Sequence, residues 1–142
     1  MKAIHLAAAV MLFGAASLGL AADAGPANRL QHVPVFALGG IGVAGTTSDG
    51  ERALRALLEE KTATKQLEAL LPSATPAGQL YALLGLRVHD RAAYERALAA
   101  FPKVDVSVET IGGCIVTHLP FQDLRKRIEA GNYDNFRDRD PR

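Results

Sequence analysis

Cys114 and His118 are the residues of this chain whose types and spacing come nearest to a nucleophilic pair. A thiol is activated when an imidazole lies within hydrogen-bond reach. Here, however, apolar and polar residues alternate as in a β-strand, and residues four apart on a strand lie about 13 Å from each other. No proton passes directly over that distance, so a thiol enzyme would need His32 or His89 brought to Cys114 by the fold. We interpret this single cysteine as a small, partly buried hydrophobic residue.

Ser107, Glu109 and His118 have the residue types of a hydrolytic triad and lie in the same segment. The glycine-rich turn that exposes a nucleophilic serine is missing around Ser107, and a metal site requires ligands that are more closely clustered. An antiparallel sheet commonly leaves one face in water. We therefore predict an exposed sheet face at which another protein binds, and assign it no catalytic or metal-binding role. Its residues are Ser107, Glu109, Val116 and His118.

Residues 39–45 contain four glycines, and the last three follow the order G-x-G-x-x-G. A dinucleotide site needs such glycines at a strand-to-helix turn, with an acidic residue ending a second strand. Here the next helix signal comes later and no strand follows that helix, so we expect the segment to pack closely against helices. A small-ligand or anion site formed by backbone N–H groups stays open as an alternative. Its residues are Gly40, Gly42, Gly45, Thr46 and Thr47.

About five helices are predicted from capping residues and from apolar residues that repeat every three to four positions. The first begins at Ser48, which forms an S-x-x-E capping box with Glu51. Its solvent-facing side is expected to carry Glu51, Arg55 and Glu59. The others are predicted at residues 63–71, 76–88, 91–101 and 121–130. The first four should pack as two helical hairpins in a helix-rich α+β fold.

A β-hairpin is predicted after the fourth helix, where apolar and polar residues alternate. A two-residue turn at Gly112 and Gly113 would place Ile111 opposite Cys114. Residues 33–38 are predicted to form a short strand that could pair with this hairpin. Residues 25–32 are expected to be an irregular lead.

The first 24 residues have the order of a secretory signal peptide. Lys2 supplies the positive charge, residues 7–20 supply an apolar run, and residues 22–24 form an A-x-A cleavage site. The apolar run is too short to span a bilayer, so we expect a periplasmic or secreted protein with no stable membrane anchor after cleavage. Residues 25–131 are predicted to form one globular domain. Residues 132–142, in which Arg and Asp alternate, are expected to be a charged flexible tail.

The composition argues against several classes of partner. Sixteen Lys and Arg residues balance fifteen Asp and Glu residues, and the formal net charge is +1. This balance offers no electrostatic basis for binding nucleic acid or an anionic membrane surface. One cysteine cannot form an internal disulfide, so packing alone must hold the fold. No cofactor is expected.

These observations favour an exported, non-enzymatic protein-binding module, of the kind that inhibits a toxin or confers immunity to it. The basis is the small size, the expected compartment and the lack of a convincing catalytic motif. Two alternatives remain open. One is a small hydrolase or thiol enzyme that uses Cys114 with a distant histidine, and the other is a small-ligand binder that uses residues 39–45.

Overall fold

Capping side chains set the starts of three central helices in the computed structural model, which describes residues 24–140. Ser48, Thr75 and Asp90 each accept a hydrogen bond from the backbone N–H three residues later, as predicted for helix N-caps. Pro76 occupies the first position of its helix, where a missing N–H costs nothing. The described residues contain α1 (Pro26–His32), α2 (Asp49–Leu58), α3 (Ala63–Leu70), α4 (Pro76–His89), α5 (Arg91–Ala100), α6 (Phe121–Glu129) and a 3₁₀ helix at Asp134–Asp138.

Five short strands complete the predicted α+β fold, which is confirmed. They are β1 (Val35–Phe36), β2 (Gly40–Ile41), β3 (Thr46–Thr47), β4 (Ser107–Gly112) and β5 (Ile115–Pro120). The main sheet has the order β1-β4-β5, in which β1 runs parallel to β4 and β5 runs antiparallel to it. The predicted third strand of the hairpin sheet is therefore present as β1. A separate antiparallel pair joins β2 to β3.

Helix α4 lies at the centre of the core, as its apolar residues on nearly all sides predict. It packs against α1, α2, α3, α5, α6 and β1. Its fully buried side chains include Leu80, Tyr81, Leu83, Leu84 and Leu86. The main sheet contacts α4 through β1 and β4 and contacts α6 through β5. Strand β4 places Val108 in the core, while the opposite face of the sheet stays outside.

The expected irregular lead at residues 25–32 is wrong, because Pro26–His32 forms helix α1. Pro26 begins the helix, and Leu30 is fully buried against the core. A helix this short is marginal by itself, so its stability comes from packing rather than from local signals. Packing against distant elements is what the sequence pattern did not reveal.

The C-terminal segment differs from the expected flexible tail, because its first part packs against the body. The 3₁₀ helix buries Phe136 completely, and Arg87 holds Asp134 through Nε and Nη2 at 2.7 and 2.9 Å. At least one of the charged residues of this segment, Asp134, therefore pairs with the helical domain instead of facing only solvent. The predicted signal peptide lies outside the described residues except for Ala24. No helix within residues 24–140 is long and apolar enough to cross a membrane.

The predicted register of the β-hairpin is wrong, because Gly112 pairs with Ile115 and the turn residues are Gly113 and Cys114. Gly113 has a φ of +57° and Cys114 has no positive φ, which suits a type II′ turn with glycine in its first central position. This change moves each pairing by two positions, so every side chain that remains in a strand keeps its predicted face, and only Cys114 leaves the strand for the turn. The outer face carries the predicted residues Ser107, Glu109, Val116 and His118.

Candidate functional site

The structure brings together the two regions that the sequence offered as separate sites. The turn between β2 and β3 lies against the turn between β4 and β5, where Gly42 N donates a hydrogen bond of 2.8 Å to Gly113 O. Ile41 and Gly113 also form an isolated parallel bridge. Residues 39–45, which we call the glycine segment, and the tip of the predicted hairpin therefore form one continuous surface.

An apolar groove of about 440 Å³ runs between these two hairpin tips. We call it the tip groove, and it is lined by Ile41, Gly42, Val43, Thr46, Ile111, Gly113, Cys114 and Val116. Val43 is 98% exposed and Val116 is 54% exposed. Large aliphatic side chains that stand together in water commonly mark an interaction site.

The outer sheet face extends from the tip groove toward the base of the hairpin. Glu109 and His118 lie directly opposite each other, with 3.6 Å between Glu109 Oε2 and His118 Nε2. Both side chains are exposed, so this contact contributes little to stability. Ser107 lies opposite Pro120, at the far end from the groove. The four residues predicted for a partner-binding face thus share one exposed surface, without the geometry of a triad.

The expectation that residues 39–45 pack against helices is wrong, because they form most of a β-hairpin with an exposed tip. Gly42 and Gly45 have φ values of +68° and +62°, a backbone region that favours glycine. A Cβ on Gly40 would lie 3.0 Å from Gly45 O across the hairpin. The G-x-G-x-x-G spacing therefore serves a tight hairpin, and no helix begins where a dinucleotide site would require it.

A carboxylate of the chain itself accepts a hydrogen bond from Gly39, the residue directly before the predicted loop site. Glu51 Oε2 accepts a hydrogen bond of 2.7 Å from Gly39 N, and Arg55 donates to Glu51 Oε1 from Nε and Nη2 at 3.0 and 2.8 Å. Arg55 also donates to the backbone carbonyls of Phe136 and Arg139. This cluster joins the glycine hairpin, α2 and the C-terminal segment.

The prediction that Glu51 faces solvent is wrong, because only 2% of it is exposed. The helical spacing correctly predicts that Glu51 lies beside Arg55, but it does not predict that the pair is turned away from water. Burial of a carboxylate is tolerated when charge-assisted hydrogen bonds satisfy its oxygens, and Gly39 and Arg55 do so here. A hollow of about 360 Å³ beside this cluster is lined by three residues of the predicted loop site, Gly40, Gly45 and Thr47, together with Gly39, Glu51, Arg139 and Asp140.

A second buried polar cluster fixes the start of the glycine segment and was not predicted. The Tyr81 hydroxyl donates to Ala37 O at 2.7 Å and accepts from Ala37 N at 2.9 Å. Ser48 Oγ donates to the same carbonyl at 2.7 Å. Burial raises the pKa of Tyr81 to about 12, so the phenol stays protonated. Glycine at position 50 leaves room for the Tyr81 ring, since a Cβ there would lie 2.4 Å from it.

The interpretation of Cys114 as a partly buried hydrophobic residue is wrong, because the thiol lies exposed at the turn. The groove that Cys114 helps to line contains no histidine among its described residues. His32 instead lies in a hollow with Arg29, Pro34 and other residues at the end of α1. Among the described residues that line the groove there is therefore no base for a thiol nucleophile.

Replacement of Cys114 by serine is expected to change the free energy of unfolding by less than about 0.5 kcal/mol, since exposed positions without special contacts carry little stability. The thiol of the native protein should react with a thiol-specific reagent as fast as a small-molecule thiol does. Urea denaturation and the rate of modification check these two expectations. A thiol that reacts only after unfolding would contradict the exposed position.

Within residues 24–140 there is no group of three or more His, Cys, Asp or Glu side chains placed to hold a metal ion. No protein-family model, curated protein or solved structure matches this chain. The case for a function therefore depends on the surface formed by the tip groove and the outer sheet face.

Proposed function

We propose that this chain is an exported protein-binding module that blocks the activity of its partner, as an inhibitor or an immunity protein of a toxin does. The observation that carries the proposal is the tip groove, where Val43 and Val116 stand in water on two hairpins joined by a backbone hydrogen bond. Hairpins that hold apolar side chains in place lose little conformational freedom when a partner binds.

The chemistry of the groove favours a protein partner over a small molecule. A small-molecule site combines an enclosed apolar pocket with a few convergent polar groups that orient the ligand. The lining of the tip groove offers Thr46 and Cys114 as its polar side chains, and the rest is aliphatic or glycine. We therefore expect an apolar side chain of the partner to enter the groove, with polar contacts to Glu109 and His118 at its rim.

The inhibitor or immunity class is supported by the signal-like order of the first 24 residues and by the small size of the remaining chain. A blocking protein needs only a rigid contact surface. A thiol enzyme that uses Cys114 is the alternative, but no histidine lines the groove beside it.

The test begins with capture of a partner from periplasmic extract by the tagged protein, followed by titration calorimetry with the purified partner. Val43→Asp is expected to weaken binding at least about tenfold, because an aspartate would be desolvated in an apolar contact. Glu109→Ala combined with His118→Ala should weaken binding by a smaller factor, since these residues lie at the rim.

Val106→Asp is the matched control, because Val106 is an exposed valine that does not line the groove. It should leave the dissociation constant within about twofold of the original value. Val43→Asp should keep the melting temperature, since its side chain is 98% exposed, and thermal denaturation of all three variants checks that each one folds. Equal losses for Val43→Asp and Val106→Asp, or no loss for Val43→Asp, would place the binding surface elsewhere.

A further inference from the structure

Strand β5 forms an open edge of the main sheet. In the order β1-β4-β5, one side of β5 pairs with β4, and no strand among the described residues pairs with the other side. Every residue of β5 except Leu119 is exposed. An uncovered edge presents backbone donors and acceptors to any strand that approaches it.

The hydrogen-bond pattern identifies which groups point outward from this edge. In a two-residue hairpin the closing pair is hydrogen bonded, and bonded and non-bonded pairs then alternate along the ladder. Gly112 and Ile115 close this hairpin, so Val116 and His118 occupy non-bonded pairs and direct their N–H and C=O groups away from β4. The hydrogen bond from Phe121 N to Val106 O fits the same alternation at the other end. No hydrogen bond to these outward groups exists within the described residues.

The edge lacks the features that normally prevent strand addition. Sheet proteins protect an edge with charged side chains, bulges, prolines or covering elements. None of the six β5 residues is Asp, Glu, Lys or Arg, and Pro120 stands only at the end of the strand. Ile115 is 69% exposed on a strand rich in residues that favour β-structure.

We infer that a second copy of this chain occupies this edge, through antiparallel pairing of β5 with β5 about a two-fold axis at Thr117. The strand is self-complementary in this register: Val116 of each copy lies opposite His118 of the other, and both direct their backbone groups toward the new partner. The exposed Ile115 meets Leu119 of the other copy, and no like charges face each other.

The pairing joins the two three-stranded sheets into one sheet of six strands. An edge contact buries less surface than a standard stable interface, so we expect a dissociation constant in the micromolar range or weaker. The two proposals share Val116 and His118, but the dimer uses the backbone groups of these residues, whereas Val43 lies in the turn between β2 and β3 and belongs to the tip groove alone.

The test is sedimentation equilibrium of the purified protein over a wide concentration range, with Thr117→Lys and Thr117→Glu as variants. The original protein should change from monomer to dimer as its concentration rises. Each variant alone should stay monomeric, because identical charges would face each other at the axis. An equimolar mixture of the two variants should form heterodimers, which shows that both variants fold and that Thr117 lies at the axis.

Hydrogen exchange of the unmodified protein gives a second measurement that needs no variant. The amides of Val116 and His118 should exchange more slowly as the protein concentration rises, while the Thr117 amide, bonded to β4, should not change. Val43→Asp should dimerise like the original protein, which separates this inference from the proposed function. A monomer at all concentrations, or a dimer that persists in both charged variants, would overturn the inference.

Discussion

Glu51→Ala is expected to lower the free energy of unfolding by about 3 kcal/mol, near the lower end of the range for breaking a buried ion pair. The change would leave the largely buried Arg55 without its carboxylate and would remove the acceptor of the Gly39 N–H. Arg55 retains the carbonyls of Phe136 and Arg139, which moderates the loss. Urea denaturation monitored by circular dichroism measures the effect.

Glu59→Ala is the matched control for this prediction. Glu59 follows α2 and pairs with Arg137 at 3.5 Å, but its side chain is 78% exposed. Its removal should cost less than about 0.5 kcal/mol, because water screens exposed ion pairs. Equal effects of the two substitutions would show that the cluster around Glu51 is solvated. A larger loss at Glu51, together with faster proteolysis of the C-terminal segment, would show that this cluster holds the segment in place.

Glu51 also shows how far local sequence signals reach. The S-x-x-E pattern predicts the cap correctly, since Ser48 accepts from Glu51 N. The position of the Glu51 side chain depends on Gly39 and on the C-terminal segment. Both lie outside helix α2, so the spacing of residues within the helix does not reveal them. Capping is a property of four consecutive residues, whereas burial is a property of the packed chain.

The hairpin shows which parts of a strand prediction tolerate error. Moving the turn from Gly112 and Gly113 to Gly113 and Cys114 changes which residues pair. The alternation of side chains is unaffected, so Glu109 and His118 stay on the outer face as predicted. Cys114 moves from a strand position into the exposed turn, and its predicted partial burial fails for that reason.

The tip groove could not be predicted from sequence, although three residues of its lining, Gly42, Thr46 and Val116, belong to the two predicted sites. Its geometry depends on the contact of Ile41 and Gly42 with Gly113. A contact between two turns that are distant in sequence leaves no periodic pattern from which it could be predicted.

Gly78→Ala is expected to lower the free energy of unfolding by about 2–3 kcal/mol, because a Cβ there would lie 2.2 Å from the carbonyl oxygen of Leu30. The obstacle is the backbone of α1, so relief requires that this helix move away from α4. The improved helix propensity of alanine, about 1 kcal/mol, offsets only part of that strain. Thermal and urea denaturation measure the net change.

Gly85→Ala in the same helix is the control that separates strain from propensity. A Cβ there would lie 2.9 Å from methyl groups of Leu54 and Leu67, which are the ends of flexible side chains and can rotate away. The gain in helix propensity should offset much of this crowding, so we expect a change of less than about 1 kcal/mol. If Gly85→Ala proves as costly as Gly78→Ala, close approach of α1 to α4 is not what requires glycine at position 78. If only Gly78→Ala is costly, the contact between α1 and α4 is rigid. Helix α1, which has no strong local helix signals, is then held in place by its close contact with the backbone of α4.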